Sequence, residues 1–598
     1  MTTFSGSMHT FSIPVMGTGF SIDTPLRVAQ YGISSVISLV DDTLIEQMRK
    51  FHAERLGEPY EEVTRLDEDA RARRITLYLD LVNRVVQRQV QELKASPFSK
   101  GSNIVRYFEL LPDIAPKRLY REMLAEDDPA EKTRMQERLR ALVVPGSIDV
   151  NIMTKIDRRN YRGDQELPGE YSDAMSALRG FALSELRSSI VFSAGINQRL
   201  FTYLTRFEDF FPDNSGELKK KIVLKVSDIR SAEVQGKFLA KRGIWVSEYR
   251  IESGLNCGGH AFPTWGYLLG PVLDQFKCRK HELREKLFEI YNKALTSDGR
   301  TAMDSCPTLR FTVQGGIGSE TENDLLLEYY DMDGTGWGTP FLLVPEVTGV
   351  DDNHLAKLSK ATEQDVYLSD SSPLGIPFWN LRNSESENAR RRRISEGCPG
   401  SSCLKGFSAF NTEFSDITIC PASRTYQKKK LKSLSENGHT PEQLSFISAS
   451  VLSKSCICND LSGSVKIKNG IEPDATPALC CGPNIVNFSK TVTLEEMVDH
   501  IYGRGTRLTP PDRPHMFIRE MMLYIDYLRG EMEKFSLKLS TRKKEYFAEF
   551  KKNLLEGFAY YQGLAEEFAG DEWNRFRDEL KSVYNAVEAL DLDPILSS

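Results

Sequence analysis

The sequence predicts a TIM-type (β/α)8 barrel that carries a helical insertion and is followed by a cysteine-rich irregular region and a C-terminal helical domain. Short apolar runs alternate with helical segments over most of residues 1–350, a rhythm typical of parallel sheets. Two glycine turns, 314–318 and 336–341, follow two of these runs, one strand–helix–strand unit apart. A third run ends in Gly258, Gly259 and His260. Because such barrels keep their chemistry at the carboxyl ends of the strands, these turns mark the expected active-site face.

Composition bounds the class of protein. A chain of 598 residues is far longer than one average domain of about 150 residues, so it needs several domains or one large domain with insertions. The net charge of -7 argues against a nucleic-acid binder. No apolar run reaches the ~20 residues of a membrane span, and residues 1–10 lack the features of a signal peptide. We therefore expect a cytoplasmic protein whose ten cysteines are thiols or metal ligands rather than disulfides.

The first two barrel strands are predicted within residues 1–40. Residues 13–19 form a short strand that ends in a glycine turn, and residues 24–31 form a short helix with Pro25 in its first turn. Residues 33–40 are an apolar run broken only by small serines. Strand, helix and buried strand in succession indicate a parallel sheet from the outset.

A helical insertion is predicted over residues 41–145. Apolar residues recur at helical spacing among dense charges in four segments, 44–56, 69–93, 103–111 and 130–142. Charged helix faces of this kind are usually solvated, and a specific binding role is the alternative.

The barrel rhythm resumes over residues 146–350. Further strands are predicted at 148–153, 189–193 and 222–227, from 243 onward, and at 311–313 and 334–338, with helical sequence between them. Together with the first two strands the count is eight, which matches a TIM-type barrel.

The two glycine turns are suited to holding a phosphate. Gly315 and Gly316 lie between a β-branched run and an amphipathic helix, and Gly338 precedes the Thr339 hydroxyl after the next strand. Without Cβ atoms the backbone N–H groups can approach an anion closely, and the helix N-terminus adds a favourable dipole. The alternative is that both are ordinary glycine turns.

His260 is the candidate catalytic residue. It follows two glycines at the end of the sixth strand, where a side chain can face an open pocket. There an imidazole can serve as a general base or proton donor near neutral pH. The alternative is a histidine with a purely structural role.

These motifs together resemble the FMN-dependent nitronate monooxygenase and enoyl-acyl-carrier-protein reductase superfamily. The resemblance covers residues 11–346 without the insertion. It rests on the opening Pro-Val-Met-Gly turn, Val150 and Asn151, the Gly-Gly-His motif, and the two glycine turns. The chain departs from the superfamily in its large insertion, in Asn256 and Cys257 before Gly-Gly-His, and in about 250 residues that follow the barrel.

The resemblance implies FMN bound at the top of the barrel. Its phosphate would lie on Gly315, Gly316, Gly338 and Thr339. Gly17, Thr18 and Gly259 would lie by the flavin, Asn151 and Lys225 would bond to its polar edge, and His260 would be the catalytic acid or base. A cation such as Lys225 would stabilise the anionic reduced flavin; the alternative is a lysine satisfied by a barrel carboxylate.

The function expected from this resemblance is an FMN-dependent oxidoreductase acting on a small organic or acyl substrate, with NAD(P)H or ferredoxin as electron donor. Two alternatives remain open at this stage. One is an oxygen-using enzyme like nitronate monooxygenase, and the other is a non-catalytic assembly or binding protein that retains the FMN barrel.

Residues 351–490 are predicted to form a lid and a cysteine-rich region. Residues 367–381 are expected to be irregular and lid-like. Seven of the ten cysteines follow within residues 398–481, in turns beside proline and glycine. In such turns the cysteine sulfurs can converge on a metal. A set made of cysteines alone favours a 4Fe-4S cluster, which would relay electrons to FMN. The alternatives are a structural zinc site or free buried cysteines. The predicted ligands are Cys398, Cys403, Cys420 and one of Cys456, Cys458 or Cys480, with Cys458 preferred.

Residues 491–598 are predicted to form a closing helical domain. Long helices are expected at 516–538, 542–568 and 571–590, with apolar residues at three-and-four spacing. Their aromatic stripes are expected to pack on the barrel or to form a homo-oligomer contact.

Overall fold

The chain folds around a closed barrel of eight parallel strands. The computed structural model describes residues 7–193, 195–261, 265–436 and 438–596. Each strand pairs with its sequence neighbours, and the last strand closes on the first. The strands are β1 (Phe11–Ile13), β2 (Ser34–Ser38), β3 (Ile148–Ile152), β4 (Ser188–Phe192), β5 (Lys220–Val226), β6 (Val246–Glu252), β7 (Arg310–Gln314) and β8 (Gly334–Gly336). The predicted fold class is confirmed.

The first strand lies earlier than predicted. Strand β1 ends at Ile13, whereas the sequence placed a strand over residues 13–19. Pro14 follows directly and has no N–H to donate to a neighbouring strand, so the ladder stops there. Residues 17–24 form turns instead.

The insertion between β2 and β3 contains five helices, one more than predicted. They are Asp42–Leu56, Ala70–Ala95, Asn103–Leu110, Ala115–Ala125 and Pro129–Leu142. The unpredicted helix, Ala115–Ala125, buries Pro116, Lys117, Tyr120 and Met123 on one face. Its apolar residues do recur at helical spacing, so a sequence signal for this helix was present.

Helices also connect the barrel strands. They are Pro25–Val28, Asp173–Leu183, Gln198–Tyr203, Ile229–Ala240, Leu269–Ser297 and Glu320–Asp324. The last of these begins at the N-cap Ser319, whose hydroxyl accepts a hydrogen bond from the Glu322 N–H. It widens into a π-helix at Leu325–Tyr329, so the amphipathic helix predicted after β7 is not uniform.

The segment predicted to be irregular after the barrel is a β-hairpin. Val366–Ser369 pairs antiparallel with Phe378–Leu381. The helices around it are Asp352–Leu358, Glu385–Ser395, Arg424–Glu436, Pro441–Ser453, Ile457–Asp460 and Gly463–Lys468. The closing helices are Leu494–Ile501, Met516–Ser536, Lys544–Glu567, Asp571–Glu588 and Asp593–Leu596.

One continuous apolar core joins these parts. It includes Tyr78 of the insertion, Trp337 after β8, and Phe517 and Tyr561 of the closing helices. The rings of Phe517 and Tyr561 stack with their centroids 4.8 Å apart. The aromatic stripes of the closing helices are thus core contacts, which is one of the two predicted roles. Over the described ranges, no helix combines the length and the apolar character that a bilayer crossing requires.

Candidate active site

A cavity of about 140 Å³ lies at the carboxyl ends of the barrel strands. Its wall brings together residues that are far apart in sequence but follow successive strands, as the barrel geometry requires. Among the predicted site residues, the wall includes Gly17, Thr18, Asn151, Lys225, Gly259 and His260. The other four, Gly315, Gly316, Gly338 and Thr339, are buried beside it but do not line it.

Lys225 is held by a barrel carboxylate. Its Nζ lies 2.8 Å from Oε1 of Glu252, and the same oxygen accepts a hydrogen bond of 2.7 Å from Nε2 of Gln314. Pairing with a barrel carboxylate is the alternative role that the sequence analysis left open for Lys225. Because Lys225 also lines the cavity, its ammonium remains beside any bound ligand.

Two buried acceptor oxygens belong to residues on the cavity wall. Asn151 is 6% exposed and Gln314 is 3% exposed. Among the described residues, neither Asn151 Oδ1 nor Gln314 Oε1 has a hydrogen-bond partner. Since an unpaired buried polar atom costs about 1–3 kcal/mol, these oxygens favour a ligand that carries N–H or O–H donors.

His260 lies at the mouth of this cavity, half-buried. Its Nε2 lies 2.7 Å from Oγ of Ser372, and its ring meets Phe378 edge-on, with centroids 5.1 Å apart. Burial lowers the pKa of His260 to about 4, helped by the positive charges of Lys155 and Lys225. The imidazole is therefore neutral at pH 7, suited to accepting a proton or to hydrogen bonding through its Nε2.

The β-hairpin 366–381 covers this end of the cavity. The Ala261 N–H donates to the Pro377 carbonyl at 2.9 Å, and the Trp379 N–H donates to the Gly259 carbonyl at 2.8 Å. Its Leu374 and Phe378 line the cavity. The hairpin thus has the predicted lid position, although its regular pairing was not predicted. The apolar pairs on either side of the turn around Pro373 and Gly375 were the available signal.

The cysteine-rich region supplies another wall that sequence reasoning missed. Ser408, Ile457, Cys458, Leu461 and Cys480 all face the cavity. Lys405 forms an ion pair with Asp41, which follows β2, and this pair anchors the region to the barrel. No local pattern signals contacts across several hundred residues.

The glycine turn after β7 is tightly packed. Gly316 has φ +81°, a left-handed conformation, and a Cβ there would lie 2.4 Å from Cδ1 of Leu255. Its carbonyl accepts a 2.7 Å hydrogen bond from Nη2 of Arg513. Only glycine fits this position, and the closing helical region holds the turn in place.

Cys257 packs against the turn after β8. The Thr339 hydroxyl donates to the Cys257 carbonyl at 3.1 Å, and a Cβ on Gly338 would lie 3.3 Å from the Cys257 sulfur. Burial raises the pKa of Cys257 to about 12, so the group is a neutral thiol. The Thr339 hydroxyl, one of the donors predicted to hold a phosphate, is therefore engaged by the chain itself.

The cysteines predicted to bind a cluster do not form a metal site. Within the part of the chain that the structure describes, no three His, Cys, Asp or Glu side chains converge as metal ligands. Cys398 is exposed, Cys403 is half-buried and Cys420 is buried, and Cys458 lies 3.1 Å from the Ser408 hydroxyl. The predicted 4Fe-4S or zinc site is thus not supported, because the described side chains do not gather into a set of metal ligands.

Fold and site together define a (β/α)8-barrel protein with a cavity at the carboxyl ends of its strands. The chain matches no protein-family model and no curated protein. It is similar to solved structures that include a mutant of FabK from Thermotoga maritima, with TM-score 0.31 and 12% identity over 67% of this chain and 83% of that one.

Two further solved structures are similar. One is the enoyl reductase domain of MlnA from the macrolactin biosynthesis cluster of Bacillus amyloliquefaciens, with TM-score 0.32 and 14% identity over 68% of this chain and 88% of that one. The other is nitroalkane oxidase from Streptomyces ansochromogenes, with TM-score 0.34 and 10% identity over 83% and 95% of the two chains. Enoyl reduction is among the activities named by the motif resemblance, but likenesses this distant assign no activity to this chain.

Proposed function

We propose that this protein is an FMN-dependent oxidoreductase that acts on a small organic or acyl substrate at the carboxyl end of its barrel. The observation that carries the proposal is the cavity itself. It gathers a glycine turn after β1, Asn151, Lys225 and His260 around one space. Two residues of its wall, Asn151 and Gln314, carry a buried acceptor oxygen that has no hydrogen-bond partner within the described part of the chain.

The cavity wall suits the ring of a flavin. The oxidised flavin ring carries one N–H group, and either Asn151 Oδ1 or Gln314 Oε1 can accept a hydrogen bond from it. Lys225 carries a positive charge beside the same space. Gly17, with φ +55°, presents backbone without a side chain, which allows a flat ring to approach closely.

The phosphate would need the Thr339 hydroxyl, which now donates to the Cys257 carbonyl. The Cys257 side chain also packs against Gly338 in the same turn. Asn256 has φ +59°, and Gly258 and Gly259 have φ +116° and +79°. We infer that this glycine-rich turn shifts to release the hydroxyl when a phosphate binds.

When bound, FMN supplies a centre that takes up and releases electron pairs. The residues of the chain supply the rest. Lys225 stabilises negative charge at the ring, and the neutral His260, hydrogen-bonded to Ser372, holds or moves a proton at its Nε2. Leu374 and Phe378 exclude water from the cavity.

The first test is FMN binding. Purified protein should show flavin absorption bands, and flavin-free protein should quench the fluorescence of added FMN as it binds. Thr339→Val should weaken FMN binding by about tenfold or more, because a hydrogen bond to a charged group contributes about 1.5–3 kcal/mol. Thr321→Val, at an exposed threonine, is the matched control. A colourless protein that takes up no FMN would refute the proposal.

The role of Cys257 can be tested in the same assay. Cys257→Ala removes the sulfur that packs against Gly338. A phosphate can then approach the Gly338 N–H more closely, so FMN should bind several-fold more tightly, in line with about 0.5–1.5 kcal/mol per hydrogen bond. Cys278→Ala, at an exposed cysteine, should leave the affinity unchanged. An unaltered affinity in Cys257→Ala would mean that the phosphate does not use this turn.

The electron acceptor distinguishes an enoyl reductase from an oxygen-using enzyme. FMN-loaded protein should be assayed anaerobically for NAD(P)H-driven reduction of an enoyl thioester, and aerobically for oxygen consumption with a nitronate. His260→Ala should lower turnover by roughly a hundredfold or more while FMN stays bound, since a positioned acid or base contributes about 10²–10⁴. Full turnover in that variant would favour a binding protein or another proton donor.

A further inference from the structure

A second, larger cavity borders the hairpin 366–381. It is an open groove of about 710 Å³, compared with about 140 Å³ for the cavity at the ends of the barrel strands. Three elements form most of its walls: the hairpin, the helix Pro441–Ser453 and the helix Met516–Ser536. Its volume lies within the range of about 300–1,000 Å³ that is typical of pockets for small organic ligands.

Hydrogen bonds join the elements of this groove at their ends. The Gln443 side chain donates to the Leu537 carbonyl at 2.9 Å, which ties the first turn of one helix to the end of the other. The Ser453 hydroxyl donates to the Asp370 carbonyl at 3.1 Å, which ties the last turn of the same helix to the hairpin. Because this helix is fixed to a neighbour at each end, the space along it is a built part of the fold.

Periodicity places one face of each element toward the groove. Successive residues of a strand point to opposite faces, so Phe378 lines the cavity at the barrel while Trp379 lines the groove. The helix Met516–Ser536 buries one stripe in the core and lines the groove with another, at three-and-four spacing over residues 519–534. At 1.5 Å per residue this second stripe is about 22 Å long, so the groove suits an elongated ligand.

Apolar side chains make up much of the walls. Met522, Leu523 and Tyr527 come from one helix and Phe446 comes from the other. Met522 is 43% exposed, which leaves a large apolar side chain in contact with water. Covering apolar surface stabilises a complex by about 25 cal/mol per Å², so these walls favour an apolar ligand.

The charged side chains on the walls are compensated within the protein. Three ion pairs lie along the groove, with N···O distances of 2.7 to 3.1 Å: Arg519–Glu363, Lys534–Glu531 and Arg529–Asp526. A further wall residue, Asp370, has the Lys454 ammonium 2.6 Å from its carbonyl oxygen. A charged ligand would have to break one of these pairs or leave its own charge unmatched. The walls therefore favour an uncharged ligand.

Trp379 adds a hydrogen-bond donor to this wall. The residue is 7% exposed, and its indole N–H has no acceptor among the residues that the structure describes. An unpaired buried polar group costs about 1–3 kcal/mol. A ligand oxygen that reaches the indole would supply the missing acceptor.

We propose that this groove binds an uncharged molecule with a long alkyl or acyl chain and an oxygen-bearing end, such as a long-chain alcohol or ester. The chain lies along the stripe 519–534, and its oxygen accepts the Trp379 N–H. Because Phe378 and Trp379 are neighbours on one strand, the occupant lies against the back of the hairpin that covers the catalytic cavity. The site does not depend on the proposed flavin chemistry.

The ligand class is tested on the full chain with the uncharged dye Nile red, whose fluorescence rises in apolar surroundings. We expect the dye to bind and 1-decanol to displace it. Decanoate and decylammonium have the same chain length but carry a charge, so displacement by either should need at least about tenfold higher concentrations.

The location is tested by filling the groove. Gly530 lines it, and a Cβ there would meet nothing within 4 Å, so the indole of Gly530→Trp can extend into the space and should weaken dye binding at least about tenfold. Gly563→Trp is the matched control, because Gly563 is another helical glycine with nothing within 4 Å. Both variants should melt no lower than wild type, since glycine is a poor helix former. Ala449→Trp, on the other helix of the groove, should act as Gly530→Trp does if the latter folds poorly.

Each of three results would refute the proposal. Wild-type protein might bind no Nile red. Folded Gly530→Trp and Ala449→Trp might bind the dye as tightly as Gly563→Trp, which would place the dye elsewhere in the molecule. Decanoate or decylammonium might displace the dye as well as 1-decanol does, which would show that the groove accepts a charged ligand.

Discussion

Replacing Arg513 by methionine would leave the carboxylate of Glu322 buried without its cation. Nη1 of Arg513 lies 2.6 Å from Oε1 of Glu322, and the two side chains are 2% and 1% exposed. Burial alone would raise the pKa of Glu322, but the Arg513 guanidinium holds it below its ordinary value. Glu322 also accepts hydrogen bonds from the Gly318 and Met516 N–H groups, so the pair joins the turn after β7 to the closing helices.

The loss in Arg513→Met should be large. Breaking a buried ion pair from one side costs about 3–5 kcal/mol, whereas an exposed pair contributes about 0–1 kcal/mol. The matched control is Arg519→Met, since Arg519 pairs with Glu363, which is 62% exposed. The fall in melting temperature, followed by dye fluorescence, should be at least about threefold greater for Arg513→Met than for the control.

Two further measurements separate the ion pair from simple loss of packing. Adding Glu322→Gln to Arg513→Met should recover part of the loss, because no uncompensated charge then remains. In Arg513→Met alone, burial raises the pKa of Glu322, so the deficit against wild type should shrink as the pH falls below about 5. A deficit no larger than that of the control, or one independent of pH, would refute the reasoning.

Two more predictions follow from single contacts. Ser372→Ala removes the hydroxyl that lies 2.7 Å from Nε2 of His260. It should lower turnover of the FMN-loaded protein about three- to tenfold and shift the pH dependence of turnover. Ser371→Ala is the control, and equal pH dependence in the two variants would count against a role of Ser372 in positioning His260. Burial lowers the pKa of His500 and of His515 to about 4, below the 6.5 of an unfolded histidine. The unfolded chain therefore binds more protons between pH 6.5 and 4, and each histidine should remove roughly 2 kcal/mol of stability between pH 7 and 5. His500→Gln should flatten the dependence of melting temperature on pH, and an unchanged slope would contradict this account.

The sequence by itself determined the barrel. Its strands are short, largely buried runs in which β-branched residues are frequent, although several, such as Ile148–Ile152, also bury polar side chains. Its helices carry apolar residues at helical spacing. The glycine turns and His260 were found in the same way, because barrel topology places strand ends on one face. The shift of β1, which Pro14 ends early, the helix Ala115–Ala125, the π-helix after β7 and the hairpin 366–381 were not predicted.

Tertiary structure alone decided how the site is closed and how its groups are paired. Ser372 meets His260 across 112 positions, and Cys257 takes the Thr339 hydroxyl across 82. The cysteine spacing suggested a cluster, but among the described residues the fold brings no set of three metal-ligating side chains together. A residue's own sequence neighbours fix its local conformation, whereas its long-range partners depend on how distant segments pack; no local pattern records that packing.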